Sequence, residues 1–260
     1  MYENCEAIVL RRNRYSETSY IVTLFSREFG RVDALAKGAR RPKNPMLGHF
    51  DFLAHEEVTL FRRERSSLDI ATAAAQFSDF PYLRVSPERF AAGGVMAEIL
   101  LTACQPGDPY PEIFAAALQV CEKLDRGEDV LTALLPGLQT VLRGLGYAPR
   151  LDACVRCGIE EPATAVLSPG GGGIVCAECL RHRLPAADNG YFPLLNRGEL
   201  ATLRHLEDTN LRLRINGGIN LLHAVELYYQ YMFSRELRGF TLLNRMLHRK
   251  TPPQKARRAG

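Results

Sequence analysis

Residues 5–37 read CEAIVLRRNRYSETSYIVTLFSREFGRVDALAK. Three runs in it carry branched and aromatic residues at strand density: CEAIVLRR, TSYIVTLFS and RVDALAK. The link REFG between the second and third is short and ends in glycine, which predicts a hairpin. Downstream, HFDFLAHEEVTLFRR and SSLDIATAAAQF supply a fourth and a fifth strand. Five short strands with one longer connection after the third predict a small β-barrel over residues 1–81. An OB-fold is the leading fit and an SH3-like barrel the alternative.

That longer connection, AKGARRPKNP at residues 36–45, holds Lys37, Arg40, Arg41 and Lys43 with no acidic residue. With Gly38, Pro42 and Pro45 its order is left open at this point, fixed by itself or only once a ligand binds. The first strand carries Arg11, Arg12 and Arg14 to its end, so the first loop is basic too. Both loops are candidates for holding an anion, against the plain alternative of solvated basic turns. A second basic cluster, residues 235–260, has eight Lys/Arg against one Glu. Two such clusters in a chain of formal net charge only +4 suggest contact with a polyanion.

After residue 81 the texture changes. Ser86, Pro87 and Glu88 form a helix start, and the alanine- and leucine-rich runs that follow predict three helices up to residue 150. Gly93 and Gly94 mark close packing, Gly127 ends the second helix, and Pro136 bends the third. Helices return after residue 185, with Asn196 as a cap, the long GINLLHAVELYYQYMFSREL and a short FTLLNRML. The tail HRKTPPQKARRAG reads as disordered. Hydrophobic residues make up 46% and charged residues 24%, a soluble globular balance, and no apolar run is long enough to span a membrane.

Residues 151–185 are a different kind of segment. Cys154 and Cys157 form one C-x2-C pair, and Cys176 and Cys179 form another. This spacing is that of a zinc ribbon: each turn aims two thiolates at one point, and the two turns complete a tetrahedron. Gly158 tightens the first turn, and SPGGGGIVC predicts a hairpin returning the chain to the second pair. His182 is a weaker alternative ligand. Four thiolates leave no open position, so one structural zinc is expected. The odd cysteine count and the absence of a signal sequence predict a reducing, cytoplasmic setting.

No catalytic motif emerges. The GGGG at 170–173 lacks the Lys-Ser/Thr of a P-loop, and neither G-x-S-x-G nor H-E-x-x-H occurs. A zinc-ribbon nuclease with its acids on scattered loops stays open as an alternative, as does an adaptor binding acidic proteins only.

RNRYSETSYIVTLFSREFGRVDALAKGARRPKN, residues 12–44, resembles the N-terminal signature of the RecO recombination mediators: a strand, a Y-x-E-x-[D/S] turn, a hairpin and a basic KGARR loop. The helical middle, the four-cysteine insertion and the aromatic late helix follow in the family's order up to about residue 248. The resemblance implies an N-terminal OB-fold, then a mainly helical domain (82–150 and 186–260) with the zinc module inserted. It implies binding to single- and double-stranded DNA, annealing of complementary strands and help in loading the RecA recombinase. It implies RecR and the acidic C-terminal tail of single-stranded DNA-binding protein as partners, a bacterial, nucleoid-associated location and no catalytic residue. One departure is Asn44, followed by Pro45, where the family has a serine-like residue after KGARRxK. For the acidic tail, the late helix is the candidate surface: Leu222, Val225 and Tyr229 on one face, edged by Arg235 and Arg238. The competing reading of that helix is plain core.

Overall fold

The computed structural model describes residues 1–63, 66, 68–181, 192–206 and 218–248. Its first part is β1 (Tyr2–Arg14), β2 (Tyr20–Ser26), β3 (Gly30–Ala36), β4 (His55–Phe61) and β5 (Asp69–Ser78). They close in the order β1-β2-β3-β5-β4. β1 serves two neighbours along its length. Tyr2 to Ile8 pair with β4, and Ala7 to Arg14 pair with β2, both antiparallel. Such a strand must be long, about 43 Å at ordinary strand rise. It must also bend, and its register shifts between Val9 and Arg11. The ring is completed by a short parallel pairing of β3 with β5, Ala34↔Asp69 to Ala36↔Ala71.

Alternation explains the interior. In β3 the residues Val32, Ala34 and Ala36 are buried while Asp33 is exposed. They meet Cys5, Ala7, Val9, Val22, Leu24, Val58 and Leu60. The fourth expected strand is shorter than its sequence suggests and begins only at His55. Phe50 and Leu53 take positive φ, 65° and 64°, so the HFDFLA segment is an irregular turn. Its apolar residues serve two cores at once. Phe50 closes the barrel interior, and Leu53 faces the helices, where a Cβ on Gly93 would come within 2.5 Å of it.

The helical part comprises α1 (Pro81–Val85), α2 (Pro87–Ala103), α3 (Pro111–Asp125), α4 (Val130–Gly144), α6 (Arg197–His205), α7 (Gly218–Phe233) and α8 (Arg238–His248). The short α1 has no counterpart in the sequence reading. Pro87 and Glu88 open α2 as expected, but the Ser86 side chain makes no capping bond. Gly127, at φ 85°, follows the end of α3. α4 continues through Pro136, where Gly137 lets Val120 and Met96 approach. Asn196 and Glu199 form a reciprocal capping box on α6. The expected disordered tail beyond residue 248 and His182 lie outside the described residues.

Between α4 and α6 sit β6 (Thr164–Ser168), β7 (Gly173–Cys176), α5 (Ala177–Arg181) and the two-residue β8 (Leu195–Asn196). Their sheet order is β7-β6-β8. Its third strand thus comes from beyond residue 185 and stitches the cysteine segment to α6. One apolar core joins these parts: Phe114, Leu134 and Tyr229 from the helices, Ile8 and Phe25 from the barrel, and Leu167 and Ile174 from the small sheet. The barrel is docked a second time at its β2–β3 turn. There the Gly107 N–H donates to the Arg31 carbonyl (3.1 Å), and the Arg31 guanidinium donates to the Leu101 carbonyl. No described helix is long and apolar enough to cross a membrane.

Candidate nucleic-acid interface and metal centre

The basic connection is a chain of tight turns. Arg41 N–H donates to the Gly38 carbonyl, Asn44 to Arg41 and Leu47 to Asn44. Ala39 and Met46 are buried and pin it to the barrel end. Buried anchors and turn hydrogen bonds thus give this connection a defined shape. Gly38, at φ 72°, brings its N–H to Ser19 Oγ (3.1 Å) on the first loop. Asn44 turns its Oδ1 inward to accept from Met46 N–H (2.8 Å), so it stabilises the turn.

The predicted cations divide into two groups. Arg40 is a strut between the loops. Its backbone N–H donates to Thr18 O (3.0 Å), Nη1 donates to Ser16 O (2.9 Å), and its guanidinium lies 5.7 Å from the Tyr20 ring centroid. Arg12 approaches the same ring at 4.9 Å, pairs with Asp51 at 2.6 Å and donates to His49 O. By contrast Lys37, Arg41, Lys43, Arg11 and Arg14 are exposed and carry no ion pair among the described residues. The two basic loops thus meet at one barrel end, with free cations around a braced centre. Tyr20, Ser19 and Asp51, which do the bracing, were not singled out in the sequence. An aromatic opening a strand between two arginine-bearing loops was the available signal.

The four cysteines converge. The Sγ atoms of Cys154, Cys157, Cys176 and Cys179 all lie within 4.8 Å of one another. Cys157 and Cys176 are 3.7 Å apart, close to the edge of about 3.8 Å expected for thiolates at 2.3 Å from one tetrahedral ion. Gly158, at φ 74°, donates to Cys154 O, and Cys154 N–H returns to Ile159 O, which closes the first turn. β6 and β7 form the expected hairpin. Burial pushes the Cys154 thiol up, but the surrounding N–H groups of Cys176, Cys157 and Arg156 outweigh it and bring it down to about 6. Cys179 is pushed up to about 12, first by its hydrogen bond with Cys157. Four thiols this close cannot all ionise unless a cation neutralises them. The donor set therefore suits a metal ion.

The late helix is core. Leu222 and Tyr229 are fully buried, and Val225 is nearly so. Tyr229 Oη donates to Leu138 O (2.6 Å), and Tyr228 is buried and donates to Tyr147 O. α7 packs against α4, α8 and β6, which covers more than one stripe of it. Leu222, Val225 and Tyr229 therefore cannot line an open peptide pocket. Arg235 and Arg238 are exposed. Glu98 accepts the N–H groups of Arg238 and Gly239 and caps α8.

Two family models match the chain. "Recombination protein O N terminal" covers residues 1–78, and "Recombination protein O C terminal" covers residues 84–237. Among curated proteins, the chain is similar to "DNA repair protein RecO" of Desulfitobacterium hafniense (strain Y51). That match is 30% identical over 256 residues, 94% of this chain and 90% of the relative. The protein of the same name from Rhodopirellula baltica is 38% identical over 176 residues, 66% of this chain and 65% of the relative. That from Geobacter sulfurreducens is 33% identical over 186 residues, 70% and 74% of the two chains. With its strand ring and its helical part each matched in order, the chain belongs to the RecO family of DNA repair and recombination proteins.

Proposed function

We propose that this protein is a non-catalytic recombination mediator that binds single- and double-stranded DNA and anneals complementary strands. In this reading residues 1–81 are an OB-fold, residues 82–150 and 186–260 a helical body, and residues 151–185 a module built on one structural zinc. The supporting observation is the pair of basic loops braced at one end of the strand ring, with Lys37, Arg41, Lys43, Arg11 and Arg14 unpaired around Arg12, Arg40 and Tyr20. Such cations neutralise phosphates without reading bases. Annealing needs this division, because two backbones must be held close while the base edges stay free to pair.

The partners follow the family: RecR, the single-stranded DNA-binding protein tail, and RecA indirectly. Arg235 and Arg238 remain as exposed cations for an acidic tail, without the buried apolar residues once grouped with them. The expected setting is the bacterial cytoplasm, at the nucleoid.

If about four phosphates are held, log affinity falls against log salt with a slope of roughly −3 to −4. The test is an anisotropy titration of labelled single strands at several salt concentrations, paired with an annealing assay. Lys37→Glu, Arg41→Glu and Lys43→Glu together should remove most of that slope and slow annealing, with thermal unfolding unchanged. Arg40 is spared because it braces the loops. Unchanged affinity and slope in the triple variant would reject the assignment.

A further inference from the structure

The strand ring is closed over only three residues of β5. β3 pairs with Asp69, Ile70 and Ala71, and there the pairing stops. From Thr72 to Ser78, β5 keeps β4 on one side, and no described residue pairs with its other edge. Thr72, Ala73, Ala75, Gln76 and Phe77 are exposed, so the free edge is open from both faces. Unpaired strand edges are ordinarily guarded by charge, proline or distortion. This one carries no charge and no proline. Its register shifts flank a regular stretch in which Glu56 to Thr59 face Gln76 to Ala73.

The neighbouring surface selects what can dock. On the outer face Glu57 lies directly opposite Ala75 and is exposed, with no ion pair among the described residues. Alanine has no side chain to block it, so the Glu57 carboxylate can reach over Ala75 to whatever lies beside β5. Phe77 is 59% exposed and its ring packs 4.8 Å from that of His55, which offers an apolar shelf at the end of the same face. Glu6, opposite Glu57 on β1, is already paired with Arg27 and His55, so Glu57 is the carboxylate of this face left for a partner's cation. This face is built on the first half of β1, away from the arginines at its second end.

We propose that the free edge of β5, Thr72–Ser78, takes up an extended segment of a partner protein as an added strand, with a lysine or arginine beside Ala75 facing Glu57 and an apolar residue beside Phe77. Main-chain hydrogen bonds supply the affinity, and these two side-chain positions supply the selection. A nucleic acid would meet the Glu57 carboxylate with like charge. A second copy paired edge to edge would bring Glu57 toward Glu57 and offer no cation.

The full chain is titrated with the capped peptide Thr-Val-Thr-Lys-Thr-Val-Thr, and with the same peptide carrying Glu in place of Lys. Hydrogen exchange of residues 72–78 is followed alongside. The expected result is slowed exchange confined to β5 and β4, with a preference of roughly threefold for the lysine peptide, the size of one exposed ion pair. Glu57→Lys should reverse that preference, and Ala75→Lys should abolish binding of the lysine peptide. DNA affinity should be unchanged in both variants, so failure here and failure of the DNA reading are separate results. Equal affinity for both peptides, no protection at 72–78, protection by an oligonucleotide, or dimerisation through this edge in sedimentation would each overturn the proposal.

Discussion

The barrel and the four-cysteine module are both small β structures, yet they are held together by different means. The barrel has its own apolar interior, from Cys5 and Val9 through Leu24 and Val58 to Phe50. The module has little: Val166 and Val175 are buried beside Cys154 and Cys176, with Val155, Leu180 and Phe192 partly covered. Burial can stabilise the first, but the second lacks the surface for it. The difference teaches that one chain can hold one small β unit by its own apolar interior and leave its neighbour with four convergent thiols and little core of its own.

Metal removal breaks the comparison most strongly. A structural zinc contributes on the order of 10 kcal/mol to a site of this kind. A strong chelator, or Cys154→Ser, should release residues 151–181, seen as rapid exchange and proteolytic cleavage there. β6 and β7 also lend Ala165, Leu167 and Ile174 to the main core, so the helical body should lose stability as well. The barrel amides of Val22, Leu24 and Val58 should stay protected. Loss of protection in both places at once would show that the barrel depends on the module after all.

The next effect concerns the joint between barrel and helices. A Cβ on Gly30 would sit 1.7 Å from the Asp108 carbonyl oxygen, at a φ of 61°. Gly30→Ala combines backbone strain with overlap against main chain, and should destabilise by about 2–4 kcal/mol. Gly107, on the facing segment, has φ 83° but nothing within 4 Å of a Cβ. Gly107→Ala should therefore cost only the conformational term, about 1–2 kcal/mol. Chemical denaturation of the two variants gives the difference. Equal losses would mean that the barrel is not seated against this loop.

The same contrast explains what the sequence made legible. The cysteine site was readable because its information is local: two C-x2-C turns, Gly158 and a hairpin. The strands were readable because one face is buried and the residues alternate. HFDFLA failed because its apolar residues do not share a face; Phe50 and Leu53 are drawn to different cores by positive-φ turns. The late helix left two readings, core and open pocket, for a related reason. Its stripe of Leu222, Val225 and Tyr229 was legible as apolar, but periodicity does not say whether a neighbour covers it. At the basic loops the cations were legible from composition. That Arg12 and Arg40 are braced while Lys37 and Arg41 are free depends on Asp51, Ser16 and Tyr20, contacts made only when the barrel closes.

The smallest effect tests whether the barrel core, though self-sufficient, carries a cost at its basic end. Glu56 is fully buried on β4. Its Oε1 accepts from Phe50 N–H (2.8 Å), with His49 Nδ1 at 3.5 Å, while Oε2 has no partner among the described residues. Burial raises its carboxyl above the ordinary value of 4.5. The Phe50 N–H and His49 oppose this, and Asp51 adds to it. A raised carboxyl holds its proton more tightly folded than unfolded. Its contribution is therefore full below the unfolded value near 4.5 and is lost as pH rises through the folded one. Glu56→Gln keeps an acceptor for Phe50 and has no charge to bury. Relative to the parent, the variant should gain stability as pH rises above about 4.5, and the gain should level off once the folded Glu56 has lost its proton. Urea midpoints measured across that range give the answer. Parallel curves would mean that His49 neutralises Glu56 within the fold, and that the turn from His49 to Leu53 is held by an ion pair.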